Sequence, residues 1–337
     1  MKLRKLLYPF SVLYDGITRL RNRAYDEGWK ESSEYYIPVI CVGNLSVGGT
    51  GKSPMVEWLL GFLAAEYKVA VLSRGYGRTT KGYLEVTPSH HANQVGDEPL
   101  QIKRKFPDVL VAVCADRRTG IANLQNRAGV IVLDDAFQHR KVRPSFTLLL
   151  TPFDDLFLDD QLLPAGNLRE AAYNKSRADL IVVTKCPDPV PYAKLQEIQF
   201  RMQLQEHQKI YFTRIAYHDQ IHSKTESLPL SYLDGKPFTL VTGIAKPEPL
   251  VAFLKEKGFD FEHLRYPDHH RFSDADIEKI ESKDLVLTSE KDFVRLKDRI
   301  QKFALYYLPI GLQVLNEQEA YFKETVIDHI QGFSPPV

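Results

Sequence analysis

Residues 43–53, Gly-Asn-Leu-Ser-Val-Gly-Gly-Thr-Gly-Lys-Ser, put several glycines just ahead of a lysine and a hydroxyl. Those residue types together suit the cradling of a phosphate. Glycine lets backbone N–H groups wrap an anion with no side chain in the way. A helix that begins at once aims its unpaired N–H groups at the same anion. A lysine there reaches β- and γ-phosphates, and the following hydroxyl holds Mg²⁺. The expected nucleotide-binding residues are Ser46, Val47, Gly48, Gly49, Thr50, Gly51, Lys52 and Ser53. Ser46 stands where the G-x-x-x-x-G-K-[ST] pattern has its first glycine; Gly48 and Gly49 supply the flexibility instead.

A second set of polar residues follows the other apolar runs. Val130–Leu133 ends in Asp134-Asp135, and an acid at a strand's end is the other half of a nucleotide site, holding Mg²⁺ directly or through water. Arg117 comes just after the run 109–113, and Arg74 follows the run 68–73. Asp97 and Glu98 are read as adjacent carboxylates in a turn, and Arg169-Glu170 as an ion-capable pair in a loop. Asp268-His269-His270 lacks the further ligands at the spacing a zinc site needs.

The elements that must position these groups are legible as periodicity. Val39–Val42 reads as a buried strand, and Met55, Trp58, Leu59, Phe62 and Leu63 share one helical face behind the loop. Further apolar runs at 68–73, 109–113, 130–133, 148–150 and 180–183 alternate with helical stretches. This pattern indicates βα units and a mostly parallel sheet, with ligands beyond the strands' carboxyl ends. From about 211 the pattern restarts, with strands at 238–242 and 285–287 and a helix over 248–257. The expected fold is α/β: a P-loop NTPase-like core domain over 31–212 and a smaller α/β domain over 213–313. A segment 314–337 remains whose place the pattern leaves open.

Residues 1–30 carry an apolar stripe, Leu3, Leu6, Leu7, Phe10, Leu13, Tyr14, Ile17 and Leu20, among seven basic and three acidic residues. Pro9 is expected to start or kink the main helix. A basic amphipathic helix suits an anionic membrane interface; a helix packed on the core with a solvated face fits the same pattern. With 337 residues, two domains are expected. A net charge of +1 makes no case for nucleic acid, and no obligate protein partner is evident. Three scattered cysteines argue against a disulfide framework. No stretch reaches the ~20 apolar residues of a membrane span.

The motifs taken in order resemble one family. Residues 43–54, 73–77, 96–99, Asp134–Arg140, 163–170, 267–270 and 290–292 are similar to those of tetraacyldisaccharide 4′-kinase, the lipid A 4′-kinase of Gram-negative bacteria. Ala136, Asn167 and Ala171 depart from its pattern, standing for a glycine and two prolines. The resemblance implies two α/β/α domains with ATP in the cleft between them. It implies transfer of the γ-phosphate of ATP to the 4′-hydroxyl of a tetraacylated disaccharide 1-phosphate, giving lipid IVA, at the cytoplasmic face of the inner membrane. It makes Asp97 the base, with His269 assisting it. Lys52, Arg117 and Arg169 are then expected to stabilise the transferring phosphate. Arg74, Glu98 and Glu170 are further candidates for substrate or metal contact. The lipid acceptor turns the reading of residues 1–30 toward membrane contact.

Two other classes are weighed. A membrane-bound nucleotide switch or partitioning ATPase usually carries lysine where this chain has Val47, and a GTPase would need an Asn-Lys-x-Asp reader that Thr184-Lys185-Cys186-Pro187 does not supply. A lipid-binding module without catalysis would have no use for Lys52, Ser53 and Asp134 in this order.

Overall fold

The computed structural model describes residues 3–268, 270–300 and 304–336. A 3-10 turn over Leu3–Leu7 leads into α1 (Tyr8–Asp26), with Pro9 in its first turn, where the missing N–H costs no hydrogen bond. The core then runs β1 (Val39–Asn44), α2 (Lys52–Glu66), β2 (Val69–Ser73), β3 (Leu84–Glu85), α3 (Ala92–Val95), α4 (Asp97–Lys105), β4 (Leu110–Val113), α5 (Arg117–Leu124), β5 (Val130–Asp134), β6 (Phe146–Pro152), β7 (Leu180–Thr184), α6 (Tyr192–Met202) and β8 (Lys209–Tyr217). The remainder is β9 (Gln220–His222), β10 (Ser227–Pro229), β11 (Phe238–Thr242), α7 (Glu248–Glu256), β12 (Phe261–Arg265), α8 (Asp274–Glu281), β13 (Val286–Ser289), α9 (Glu290–Leu296), β14 (Leu305–Leu308), β15 (Ile310–Val314) and α10 (Glu319–Gln331).

Among the described residues these strands form two sheets. The larger has the order β15-β8-β7-β6-β1-β5-β2-β4-β3, parallel except at its edges β15 and β3. The smaller has the order β10-β9-β14-β13-β11-β12, with β14, β13, β11 and β12 parallel. Parallel strands covered on both faces read as unbroken apolar runs, and β1, β2, β5 and β7 are buried at every position. One core lies under α2 and α10, around Ile40, Leu59 and Phe322; a second lies on the opposite face, around Cys41, Leu133 and Phe157.

The expected domain boundaries fall inside strands of the larger sheet. β8 runs through 212/213 and β15 through 313/314, so the chain leaves the larger sheet by β8 and returns to it beside β8. α10 then covers that sheet, stacking Phe322 on Tyr211 at 4.2 Å between ring centres. The turn expected around Asp97 and Glu98 is instead the first turn of α4, entered through Gly96 at φ 94°. Buried Leu100 and Ile102 hold that helix on the core, and acids suit its positive end.

Helix α1 packs with its polar side inward. Ser11 and Asn22 are each only 3% exposed, whereas Phe10, Leu13, Ile17 and Leu20 are 61–65% exposed. The Ser11 hydroxyl donates to the Leu162 carbonyl at 2.9 Å, and the Tyr14 hydroxyl to the Arg169 carbonyl at 3.0 Å. Phe10, Leu13, Ile17 and Leu20 of the apolar stripe are therefore turned to the outside. No described helix is long and apolar enough to cross a membrane.

Candidate active site

Three adjacent strands of the larger sheet, β1, β5 and β2, deliver Asn44, Asp134 and Ser73 at their carboxyl ends. Behind β1 the chain turns into α2 through Gly48 (φ 110°) and Gly51 (φ 90°), both left-handed conformations that favour glycine. Ser46 is not among the residues with positive φ, so the backbone tolerates a side chain there. The loop is braced from outside by Asn167, whose carbonyl accepts from the Val47 N–H at 2.8 Å, and by Thr184 and Lys185, which donate to the carbonyls of Thr50 and Gly49. Asn167 also donates its own N–H to Asp160 at 3.0 Å, a bond that proline could not make at this departure from the family pattern.

Lys52 is the first residue of α2. Its Nζ lies 3.3 Å from Asn44 Oδ1 and 3.8 Å from Asp135 Oδ1. Arg169 reaches the same two partners, donating to Asp135 at 2.9 Å and to Asn44. Burial disfavours the Asp135 charge, but Lys52 and then Arg169 outweigh it and hold this carboxyl below its ordinary range. Asp134 behaves oppositely. Burial, then the charges of Glu98 and Asp135, push its carboxyl up to about 7 against the pull of Lys52 and the Ser73 bond. Ser73 Oγ donates to Asp134 Oδ2 at 3.0 Å, while Oδ1 is buried with no hydrogen-bond partner among the described residues. An orphaned, buried carboxylate oxygen marks a place for a cation or a donor.

The remaining expected residues are spread around this centre. Arg117 is buried and donates to the carbonyls of Cys114, Ala115 and Asp134, bracing the backbone behind the acids. Arg74 is exposed on the loop after β2. The charge of Glu98, in the first turn of α4, raises the proton affinity of Asp134. Asp97 receives hydrogen bonds from Arg295 of α9, one of them from Nε at 3.0 Å. Glu170 is only 1% exposed and lies under α1, bound by Arg21 at 2.6 Å, by Asn22 at 3.2 Å and by Arg177. His269 lies outside the described residues. Asn44, Ser73 and Arg295 were not singled out from the sequence. The first two were findable as polar residues closing apolar strands; nothing local marks Arg295, which acts across the two sheets.

Three comparisons bear on this arrangement. The family model for tetraacyldisaccharide-1-P 4′-kinase matches residues 3–331. The tetraacyldisaccharide 4′-kinase of Flavobacterium johnsoniae is 46% identical over 335 residues, covering 98% of each chain. That of Bacteroides thetaiotaomicron is 40% identical over 359 residues, covering 98% of this chain and 94% of its own. The crystal structure of the Aquifex aeolicus LpxK in complex with ATP superposes with a TM-score of 0.81 at 31% identity, covering 97% of this chain and 99% of that one. The chain belongs to the tetraacyldisaccharide-1-P 4′-kinase family.

Proposed function

We infer that this chain performs its family's reaction at the phosphate loop. The γ-phosphoryl group of ATP goes to the 4′-hydroxyl of a tetraacyldisaccharide 1-phosphate, giving lipid IVA in lipid A biosynthesis. The observation that carries the assignment is the convergence of Lys52, Asp134 and Asp135 where β1 and β5 end, beside a glycine loop that opens a helix. The related LpxK of Aquifex aeolicus is described in complex with ATP. In this chain the N–H groups of 48–53 and Lys52 hold the β- and γ-phosphates.

Ser53, Asp134 and Asp135 are the residues for Mg²⁺, and the unpartnered Asp134 oxygen fits a cation. Among the described residues no three His, Cys, Asp or Glu side chains gather closely enough to hold a metal. Phosphate oxygens and water would complete the shell, as Mg²⁺ commonly requires. When bound, the cation neutralises charge on the phosphates.

Phosphoryl transfer asks mainly for positioning and charge stabilisation. Arg169 and Arg74 offset charge on the transferring group or on the acceptor's phosphate. Arg117 acts from behind by fixing the backbone that carries Asp134. A sugar hydroxyl needs a base. Asp97 takes the 4′-hydroxyl proton as that oxygen bonds to the γ-phosphorus; the bond to the bridging oxygen breaks, and its electron pair leaves with ADP. His269 assists Asp97, and Glu98 tunes the acid pair. Glu170 serves by anchoring α1.

The outward apolar face of α1 lies in the cytoplasmic leaflet of the inner membrane, where a four-chain acceptor resides; withdrawing such a lipid costs about 0.8 kcal/mol per exposed CH₂. ATP consumption by the purified protein, with and without the acylated disaccharide in mixed micelles, tests the function. It should rise only with acceptor, and the product should carry one added phosphate at the 4′ position. Equal consumption without acceptor would instead favour a nucleotide switch.

A further inference from the structure

The phosphate loop, the acid pair and the start of α4 all belong to the larger sheet, and side chains of the second unit reach the start of α4, Arg295 among them. Arg295, on α9, donates to Asp97 Oδ2 from Nε at 3.0 Å and also from Nη2. Its other terminal nitrogen, Nη1, donates to Asp292 Oδ1 at 3.1 Å and to the Gly243 carbonyl at 3.3 Å. Asp292 is fully buried, and its Oδ2 accepts from the Gly243 N–H at 2.8 Å and the Ser289 hydroxyl at 2.6 Å. A side chain at residue 243 would crowd this arrangement, since a Cβ there would lie 3.0 Å from Asp292 Oδ1. The guanidinium is thus held at one end by the close of β11 and the start of α9. Its other edge meets the first residue of α4. A planar fork of donors fixes the direction of approach as well as the distance.

Arg295 is not needed merely to hold the two helices together. Glu98 faces Lys291 at 3.9 Å, Arg104 faces Asp298 at 3.2 Å, and Lys105 faces Glu290 at 3.3 Å. What distinguishes Arg295 is that its partner is Asp97.

We propose that Arg295 is a positioning residue for the phosphoryl transfer: it orients the Asp97 carboxylate toward the acceptor hydroxyl and makes that alignment depend on α9 being docked against α4. This rests on the reading of Asp97 as the base. α9 packs against α4, and through that contact one guanidinium ties the base to the second unit.

The test compares Arg295→Met and Arg295→Lys in the full-length enzyme, each alone and combined with Asp97→Asn. It follows kcat, KM for ATP and for the acylated disaccharide, ATP affinity and melting temperature. Arg295→Met should lower kcat about 10–100-fold, the scale of a misplaced reacting group, with ATP affinity within about threefold. Arg295→Lys should recover part of that loss. In the Asp97→Asn background Arg295→Met should cost nothing further, because groups acting as a unit are non-additive. The same fold-loss in both backgrounds, or a loss confined to ATP affinity, overturns the proposal. Should Arg295→Met fail to fold, Arg295→Lys carries the comparison, and an Arg295→Lys loss that persists beside Asp97→Asn overturns it equally. If Asp97→Asn alone transfers phosphate at the wild-type rate, the base reading itself falls and this proposal falls with it.

Discussion

Lys52 and Asp134 show how far a residue's place in the fold follows from type and spacing. The lysine after a glycine loop pointed to the nucleotide, and its Nζ does lie among Asn44 and Asp135 at the strand ends. Lys52→Ala should leave the fold intact and lower kcat by roughly 10²-fold or more, the scale of a lost charge-stabilising donor; turnover assays on the folded variant check this. The difference between the two neighbouring acids was not legible, because it is set by contacts from distant segments. Arg169 and Lys52 stabilise the Asp135 charge, whereas burial and Glu98 oppose that of Asp134. The Asp134 carboxyl, at about 7, takes up its proton more readily folded than in the unfolded chain, where it titrates near ~3.9. Its contribution to stability is therefore intact below about pH 4 and is lost as pH rises through 7. Asp134→Asn should raise the melting temperature of the ligand-free enzyme at pH 8. The gain should shrink toward pH 4, at about 2–4 °C for each kcal/mol relieved. Melting curves across that range check it, and a gain independent of pH would contradict it.

Among the elements, α1 was legible as a stripe and not as an orientation. Periodicity places Phe10, Leu13 and Ile17 together, but Ser11, Asn22 and their partners in 162–174 decide which side faces the protein. Replacing Leu13 and Ile17 by Asp should weaken binding to anionic liposomes and raise KM for the lipid acceptor, leaving ATP affinity unchanged; sedimentation with vesicles at matched salt checks it. Glu170 was legible as a charged loop residue, while its burial beneath α1 depends on a helix about 150 positions earlier. Glu170→Ala removes the buried carboxylate that Arg177 and Asn22 share, while Arg21 can turn to water, and should cost about 1–3 kcal/mol, the range for polar groups left without a partner, read from denaturant unfolding. α4 was missed because Pro99 and a pair of acids look like a turn, although both are acceptable in a helix's first turn.

At the scale of the whole molecule, the α/β class and the parallel strands were legible because buried strands are unbroken apolar runs. The strand order was not, since nothing local says that β15 returns to pair with β8 after the second sheet has been built. That return sets the second unit on a strand pair of the first, and it lets α9 face α4 and Arg295 meet Asp97. The proposed function makes the phosphate loop and Asp97 one site for transfer to a lipid hydroxyl. The most direct test is a single-turnover experiment with ATP labelled at the γ-phosphorus, comparing the wild-type enzyme with Asp97→Asn after ATP affinity has been measured for both. Both should bind ATP within a few-fold, the wild type should move the label to the 4′ position of the disaccharide, and Asp97→Asn should do so at least about 10²-fold more slowly, the lower range for loss of a general base. Transfer by Asp97→Asn at the wild-type rate, or label released as free phosphate by the wild type in the presence of acceptor, would contradict it.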